Sequence, residues 1–285
     1  MAAKGLQLGA RRFVAGETLD DFVEIVRNLN REGFVVASAI LGEDIFTESE
    51  TRAVTAGYKA LLSRIATDGL EANVALKLTH LGLAISEPLA CENLTDIVTH
   101  AAGLGNSIRI DMEDSSRVDA TLRIYRTLRD AGHDNVGTVL QAYLYRTPAD
   151  LAALADCVPN LRLVKGAYLE PPSRAYPKKP DVDAAFKRLI EQALQGGGYT
   201  AIATHDEDAI RHATSFIQAH AVPNERFEFQ MLYGVRPALQ RAVRDRGYKV
   251  RIAAPFGREW YPYFMRRLAE RPANVAFVLR SFLQR

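Results

Sequence analysis

No apolar run in this 285-residue chain approaches the roughly 20 residues that a helix needs to cross a bilayer, which excludes a transmembrane helix. Residues Met1 to Gly16 also lack the long apolar stretch of a secretion signal, so residence in the cytoplasm is expected, with room for a loose peripheral membrane contact. Cysteine is scarce. Cys91 and Cys157 stand far apart beside apolar or small neighbours in predicted helices, with no partner for a metal clip, and read as reduced, buried packing residues. An excess of one charge is missing too: 36 Lys and Arg against 34 Asp and Glu leave +2, spread along the chain, which argues against a nucleic-acid partner. There is no glycine-rich dinucleotide fingerprint. Gly196-Gly197-Gly198 reads as a helix stop followed by a turn, so a nicotinamide cofactor is not indicated.

What the chain does have is a regular alternation. After an opening helix near Leu19 to Arg31, eight short runs rich in valine and isoleucine each lead into an amphipathic segment. They are Phe34 to Leu41, Val74 to Leu81, Ser107 to Met112, Val136 to Leu144, Leu161 to Ala167, Thr200 to Thr204, Arg226 to Leu232 and Val250 to Ala254. Pro88, Pro148, Pro237 and Pro262 fall early in four of the following helices, where a missing amide hydrogen costs little. Gly132 and Gly247 follow two others as stop signals. Eight strand-then-helix units in this length predict an α/β fold closed as a (βα)8 TIM-type barrel, in preference to an open doubly wound sheet. With no linker or change of composition, residues 1–285 read as one domain, with 1–32 a segment and helix preceding the barrel.

Active sites of such barrels form at the carboxyl ends of the strands, and the residues predicted there are unusually polar. Lys77 and His80 lie in or after the second run, Asp111 and Glu113 end the third, and Gln141 lies in the fourth. Arg162 and Lys165 belong to the fifth, Thr204-His205-Asp206 ends the sixth, and Glu228 and Gln230 sit in the seventh. Inward charges are costly without partners, so several must meet each other or a polar ligand. Arg162 reads equally as an ion-pair partner of Asp111 or Glu228 and as a group laid against a flat ring. Lys165 is a candidate Schiff-base lysine. His80, His205, Asp111, Glu113 and Asp206 are usable metal ligands, but without tight spacing, and hydrogen-bonding roles take precedence. Tyr143, Tyr145, Tyr168, Tyr233 and Tyr263 gather near one rim and favour a ring-shaped ligand over simple capping of the core.

The last predicted helix puts Tyr263, Arg266, Arg267 and Glu270 on one stripe and Trp260, Phe264 and Leu268 on the other. Adjacent guanidinium forks suit a carboxylate. By spacing alone, a solvated surface helix is the preferred reading.

Taken together, the strings Leu76-Lys77-Leu78-Thr79, Ile110 to Asp114, Gln141 to Leu144, Arg162 to Tyr168, Ala203 to Asp206, Phe227 to Gly234, and Tyr263 with Arg266-Arg267 resemble the proline dehydrogenase family in its short single-function bacterial form, over nearly the whole chain. The resemblance implies a distorted barrel with bound FAD and a last helix lying over the barrel mouth. It implies oxidation of L-proline to 1-pyrroline-5-carboxylate by hydride transfer from C5 to flavin N5, with a membrane quinone reoxidising the flavin. Arg266 and Arg267 are then expected on the substrate carboxylate. Lys77, Asp111, Tyr168, Leu232 and Tyr263 are expected to line the proline pocket, with Arg162 near flavin N5. Gln141, Val164, Lys165, Gly166, Ala167, Thr204, His205, Gln230 and Glu270 are expected FAD contacts, and no metal is implied. The product is expected to pass to a separate pyrroline-5-carboxylate dehydrogenase, and the enzyme to associate with the inner face of the cytoplasmic membrane.

The sequence departs from the family pattern in two ways. Ala253 stands where proline-specific members commonly carry a tyrosine against the substrate ring, giving an expectation of tolerance toward 4-hydroxyproline. The segment before the first helix is shorter than the extra amino-terminal helices usual in this form, which bears on assembly and solubility. Outside the resemblance, a metal-dependent or Schiff-base barrel enzyme acting on a small carboxylate and a catalytically silent barrel are the competing classes.

Overall fold

The computed structural model describes residues 13–42, 45–261, 263 and 265. Eight parallel strands close into a barrel in sequence order: β1 (Val35–Ile40), β2 (Ala72–Lys77), β3 (Ile108–Asp111), β4 (Val136–Gln141), β5 (Asn160–Val164), β6 (Tyr199–Ala203), β7 (Phe227–Leu232) and β8 (Val250–Phe256). Closure is made by β8 on β1, in register from Val35 beside Arg251 to Ile40 beside Phe256. Each predicted strand is present, but β2, β4 and β5 stop three to four residues short of the predicted ends. Thr79–Leu81 form a 3-10 turn, and the chain after Gln141 and Val164 leaves the sheet. Glu113 and Thr204 to Asp206 therefore lie in loops beyond their strands.

The helices are α1 (Leu19–Arg31), α2 (Glu48–Thr67), α3 (Glu87–Gly103), α4 (Val118–Asp130), α5 (Thr147–Ala153), α6 (Lys179–Gln195), α7 (Glu207–Ala219) and α8 (Pro237–Asp245). Their starts follow from local chemistry. Thr18 with Asp21 and Thr47 with Glu50 form reciprocal capping boxes on α1 and α2, and Asp206 caps α7 by accepting from the Asp208 amide. Pro88, Pro148 and Pro237 sit in first turns as predicted, and Pro180 does the same in α6. Residues 260, 261, 263 and 265 are helical. The remainder of the predicted last helix, and its placement over the mouth, lie outside the described residues.

The main apolar core lies between sheet and helices. Val36, Val74, Leu76, Ile110, Leu163, Ile202, Phe229 and Ile252 face outward and pack with helix residues such as Phe22, Tyr58, Leu94, Tyr125 and Phe186. Alternation then commits the inward positions to a polar interior. Arg109 shows how tightly this interior is built: its Nη1 donates to the carbonyls of Thr138 (2.9 Å) and Asn160 (2.6 Å). It lies so close to Gly137 that a Cβ there would sit 2.3 Å from Nη1. Both cysteines are free and only partly buried, and Cys157 lies in a short 3-10 helix instead of an α-helix.

Candidate active site

At the carboxyl ends of the strands the barrel opens into a cavity of about 1130 Å³. Its wall includes Lys77, Asp111, Gln141, Arg162, Val164, Lys165, Gly166, Ala167, Tyr168, Thr204, His205 and Leu232, all predicted from the sequence. Gln230 is nearly fully buried and is not part of that wall. Ala253 is half-buried in β8, beside cavity-lining Leu232 in register. Tyr263 packs against the cluster of Phe13 and Val235, as do Leu232 and Trp260. Arg266, Arg267 and Glu270 lie outside the described residues.

The fifth strand provides the densest part of the site. Arg162 points inward, donates from Nε to Gln230 Oε1 at 2.6 Å, and pairs with Asp111 through Nη1. Of the two partners expected for Arg162, Asp111 is therefore the actual one. Glu228 lies deeper in the barrel, at the second residue of β7, and pairs with Arg251 instead (2.7 Å). Just beyond the end of β5 the chain turns at Gly166, whose φ of +117° is open to few residues besides glycine. The buried Tyr143 ring closes that turn from the β4 side, and its amide donates to the Lys165 carbonyl at 2.9 Å. Burial pushes the Tyr143 hydroxyl up to about 12.

Lys165 Nζ reaches Asp183 Oδ1 at 2.5 Å and Asp206 Oδ2 at 2.6 Å. Desolvation pulls its ammonium down, but the two carboxylates outweigh it and leave the pKa above the ordinary lysine value. A Schiff-base lysine needs the opposite shift, so this environment opposes that role. Asp183 gave no local sequence signal, since it comes from α6, 18 residues further on. His205 Nε2 accepts from the Leu232 amide at 2.9 Å, which places the proton of the neutral ring on Nδ1. Arg236, in the left-handed region at φ 54°, donates to the His205 carbonyl at 2.8 Å and pairs with Glu207, tying the loops after β6 and β7 together.

On the other side of the cavity Glu113 accepts from the Thr79 amide (3.1 Å) and hydroxyl (2.7 Å), and burial raises its pKa. Gln141 donates to the Glu113 carbonyl at 3.0 Å, while its Oε1 is buried without a hydrogen-bond partner. His80, a metal-ligand candidate by sequence, is buried in the turn after β2 with Nδ1 3.2 Å from the Tyr58 hydroxyl. Among the described residues no three or more His, Cys, Asp or Glu side chains assemble as a metal-ligand group. Sequence reasoning missed Met112, Val139 and Ala203 in the wall, although inward alternation two residues before Gln141 marks Val139.

The arrangement joins fixed cations, one orphaned acceptor and a glycine turn around a space larger than most small-ligand pockets. The comparisons agree on one family. A family model described as proline dehydrogenase matches residues 22–280. Proline dehydrogenase 1 of Bacillus subtilis (strain 168) is 45% identical over 283 residues, covering 99% of this chain and 93% of the relative. The proline dehydrogenase of Deinococcus radiodurans is 43% identical over 279 residues, with 96% and 90% covered. Among solved structures, proline utilization A of Bdellovibrio bacteriovorus, inactivated by N-propargylglycine, superposes with a TM-score of 0.86 at 23% identity, over 92% of this chain and 32% of that one. Proline utilization A of Corynebacterium freiburgense gives 0.83 at 23% identity, over 98% and 33%. This chain thus spans about a third of the solved chains, and at that identity the likeness concerns the fold.

Proposed function

This chain belongs to the proline dehydrogenase family, and we propose that it oxidises L-proline to 1-pyrroline-5-carboxylate with FAD as its cofactor. The observation that carries the reading is the convergence on one cavity wall of Lys77, Asp111, Arg162, Lys165, Tyr168 and His205. The residues present fit a flavin. The buried Gln141 Oε1 lacks a donor, and a planar ring system with an N–H would supply one. When bound, FAD would supply the acceptor for the hydride that proline gives up from C5.

The chain's own contribution is positioning and charge. Arg162, held at two of its nitrogens by Gln230 and Asp111, keeps a fixed cation at the wall where negative charge arrives. Lys77, Asp111, Tyr168 and Leu232 form the proline side, and Arg266 and Arg267 supply the carboxylate fork. Clamping the carboxylate fixes the ring for reaction. Proline must react as the neutral amine, so that its nitrogen lone pair assists hydride loss. Val164, Lys165, Gly166, Ala167, Thr204, His205 and Glu270 hold the cofactor, while Gln230, expected from the sequence as a direct contact, lies beneath the wall with both ends of its amide engaged and acts through Arg162. We assign reoxidation to a membrane quinone at the inner face of the cytoplasmic membrane and product consumption to a separate pyrroline-5-carboxylate dehydrogenase. No helix among the described residues is long and apolar enough to cross a membrane.

The test is an absorbance spectrum from about 300 to 600 nm before and after anaerobic proline, because bound flavin loses its visible band on taking up a hydride. Bleaching is expected. A flavin band untouched by proline overturns the substrate, and no band after FAD addition overturns the cofactor.

A second substrate follows from Ala253. Ala253 and its partner in register Ala37 are both small, which leaves room beside cavity-lining Leu232, its partner on the other side. We propose that 4-hydroxyproline is accepted there. Ala253→Tyr is expected to shift the ratio of kcat/KM values toward proline by about tenfold, the order of effect that filling a pocket produces. An unchanged ratio would refute the idea.

A further inference from the structure

A chain of polar side chains runs through the barrel interior beneath the cavity, and only its upper end belongs to the site described above. Arg251 of β8 donates from Nη1 to the Val36 carbonyl (2.9 Å) and to Asn73 Oδ1 (3.1 Å), and from Nε to Glu228 Oε1 (2.7 Å). The same Glu228 oxygen accepts from Gln230 Nε2 at 2.5 Å. Gln230 Oε1 accepts from Arg162 Nε at 2.6 Å, and Arg162 Nη1 pairs with Asp111. Glu228 is 1% exposed and Gln230 4%. Desolvation disfavours the Glu228 carboxylate, yet the Arg251 charge and hydrogen bond outweigh it and hold the group down to about 2. Lys249 adds a more distant cation, 3.6 Å from Oε2.

A carboxamide has two nearly isosteric orientations, and its neighbours decide between them. Here both neighbours are one-sided. An ionised Glu228 only accepts and Arg162 Nε only donates, so Gln230 must turn its NH2 down and its oxygen up. A flipped amide would face donor to donor at Arg162 and acceptor to acceptor at Glu228, losing two charge-assisted bonds at once. We infer that Glu228 is a positioning residue that fixes the guanidinium of Arg162 through the orientation of Gln230. Charge pairing with Arg251 alone would not require Glu228 to touch Gln230. Glutamine at 228 can itself donate or accept, so the constraint on Gln230 disappears although shape and size remain.

The inference rests on the proposed role of Arg162 only for its kinetic consequence, and the test separates the two. In a proton–nitrogen correlation spectrum of the protein, with or without FAD, the Arg162 Nε–H signal is expected to be slowed in solvent exchange, and Arg162→Lys identifies it. Glu228→Gln is expected to speed that exchange at least tenfold and, in the FAD-loaded enzyme, to lower kcat about tenfold with KM for proline within about twofold. The flavin reduction potential should fall, as a less fixed cation favours the reduced anion less. The double variant Glu228→Gln with Gln230→Glu conserves charge and atoms. It restores a pure acceptor under Arg162 and is expected to recover slow exchange, potential and kcat to within about threefold of the parent. A double variant as impaired as Glu228→Gln shows that the pair with Arg251 is all that matters, and overturns the inference. Should Glu228→Gln not fold, Gln230→Met breaks the relay while leaving that pair intact, and parent-like exchange there overturns it equally. Slow exchange lost and regained without any change in kcat would keep the relay and sink the kinetic role of Arg162.

Discussion

Replacing Arg162 by methionine is expected to lower proline turnover by about 10² to 10³-fold, the usual effect of deleting one preorganised group that meets developing charge in a water-poor site. Methionine fills much of the same volume, so the wall keeps its shape and the loss reads on charge and hydrogen bonding. Two local consequences are distinguishable. Gln230 Oε1 and Asp111 lose their donors, which costs about 1–3 kcal/mol of stability for the buried amide. KM for proline should change far less than kcat, because the carboxylate fork assigned to Arg266 and Arg267 is untouched. Arg162→Lys should recover only part of the turnover, since a single ammonium cannot span Gln230 and Asp111 as the fork does. Steady-state kinetics with proline and an artificial acceptor decide it. Parent-like kcat in Arg162→Met would remove Arg162 from the chemistry and leave it a structural ion pair with Asp111.

Arg162 and its partner Asp111 are legible in the sequence while the rest of the setting is not, and both have the same origin. A parallel strand buried on both faces shows its inward positions through alternation, and a charge among valines and leucines stands out; Arg162, Asp111 and Gln141 were therefore legible. The eight strands were legible for a related reason, since their outward residues must be apolar to pack against helices. Strand ends were not. Leu78 and Ala142 to Leu144 are apolar and buried like strand residues, yet they pack in loops beneath the rim, and burial alone does not distinguish the two. Pairing inside the barrel was also hidden. Arg251 meets the Val36 carbonyl 215 positions away, and Asn73 across 178, through barrel closure rather than local pattern. The sequence shows the strand of Glu228 but not its height, so a residue buried deep in the barrel reads as one of the rim. The stripe of Arg266, Arg267 and Glu270 follows from helical spacing, and only its binding role rests on family resemblance.

Gly166→Ala is expected to weaken FAD binding at least tenfold and to lower the melting temperature of the loaded protein by several degrees. Two costs add at this position. At φ +117° an L side chain strains the backbone by about 1–3 kcal/mol, and the new Cβ would lie 2.3 Å from Tyr143 Cδ1 and 2.5 Å from Cε1. The ring cannot retreat, because Met112, Val118, Val139, Leu144 and Ala175 pack around it. The Tyr143 carbonyl also accepts from the Tyr176 amide at 2.8 Å. Relief must therefore come from the other partner, the loop carrying Gly166, Ala167 and Tyr168, which line the cavity and would be driven into it. That couples a backbone defect to cofactor affinity instead of to stability alone. At about 2–4 °C per kcal/mol for domains approaching this size, strain of that order accounts for the expected fall in melting temperature. Pairing Gly166→Ala with Tyr143→Ala isolates the two costs. If the clash dominates, the double variant binds FAD more tightly than Gly166→Ala does. If φ dominates, removing the ring brings no recovery. FAD affinity equal to the parent in Gly166→Ala itself would mean that the turn is not part of the cofactor site, and the assignment of residues 164–167 to FAD would fail with it.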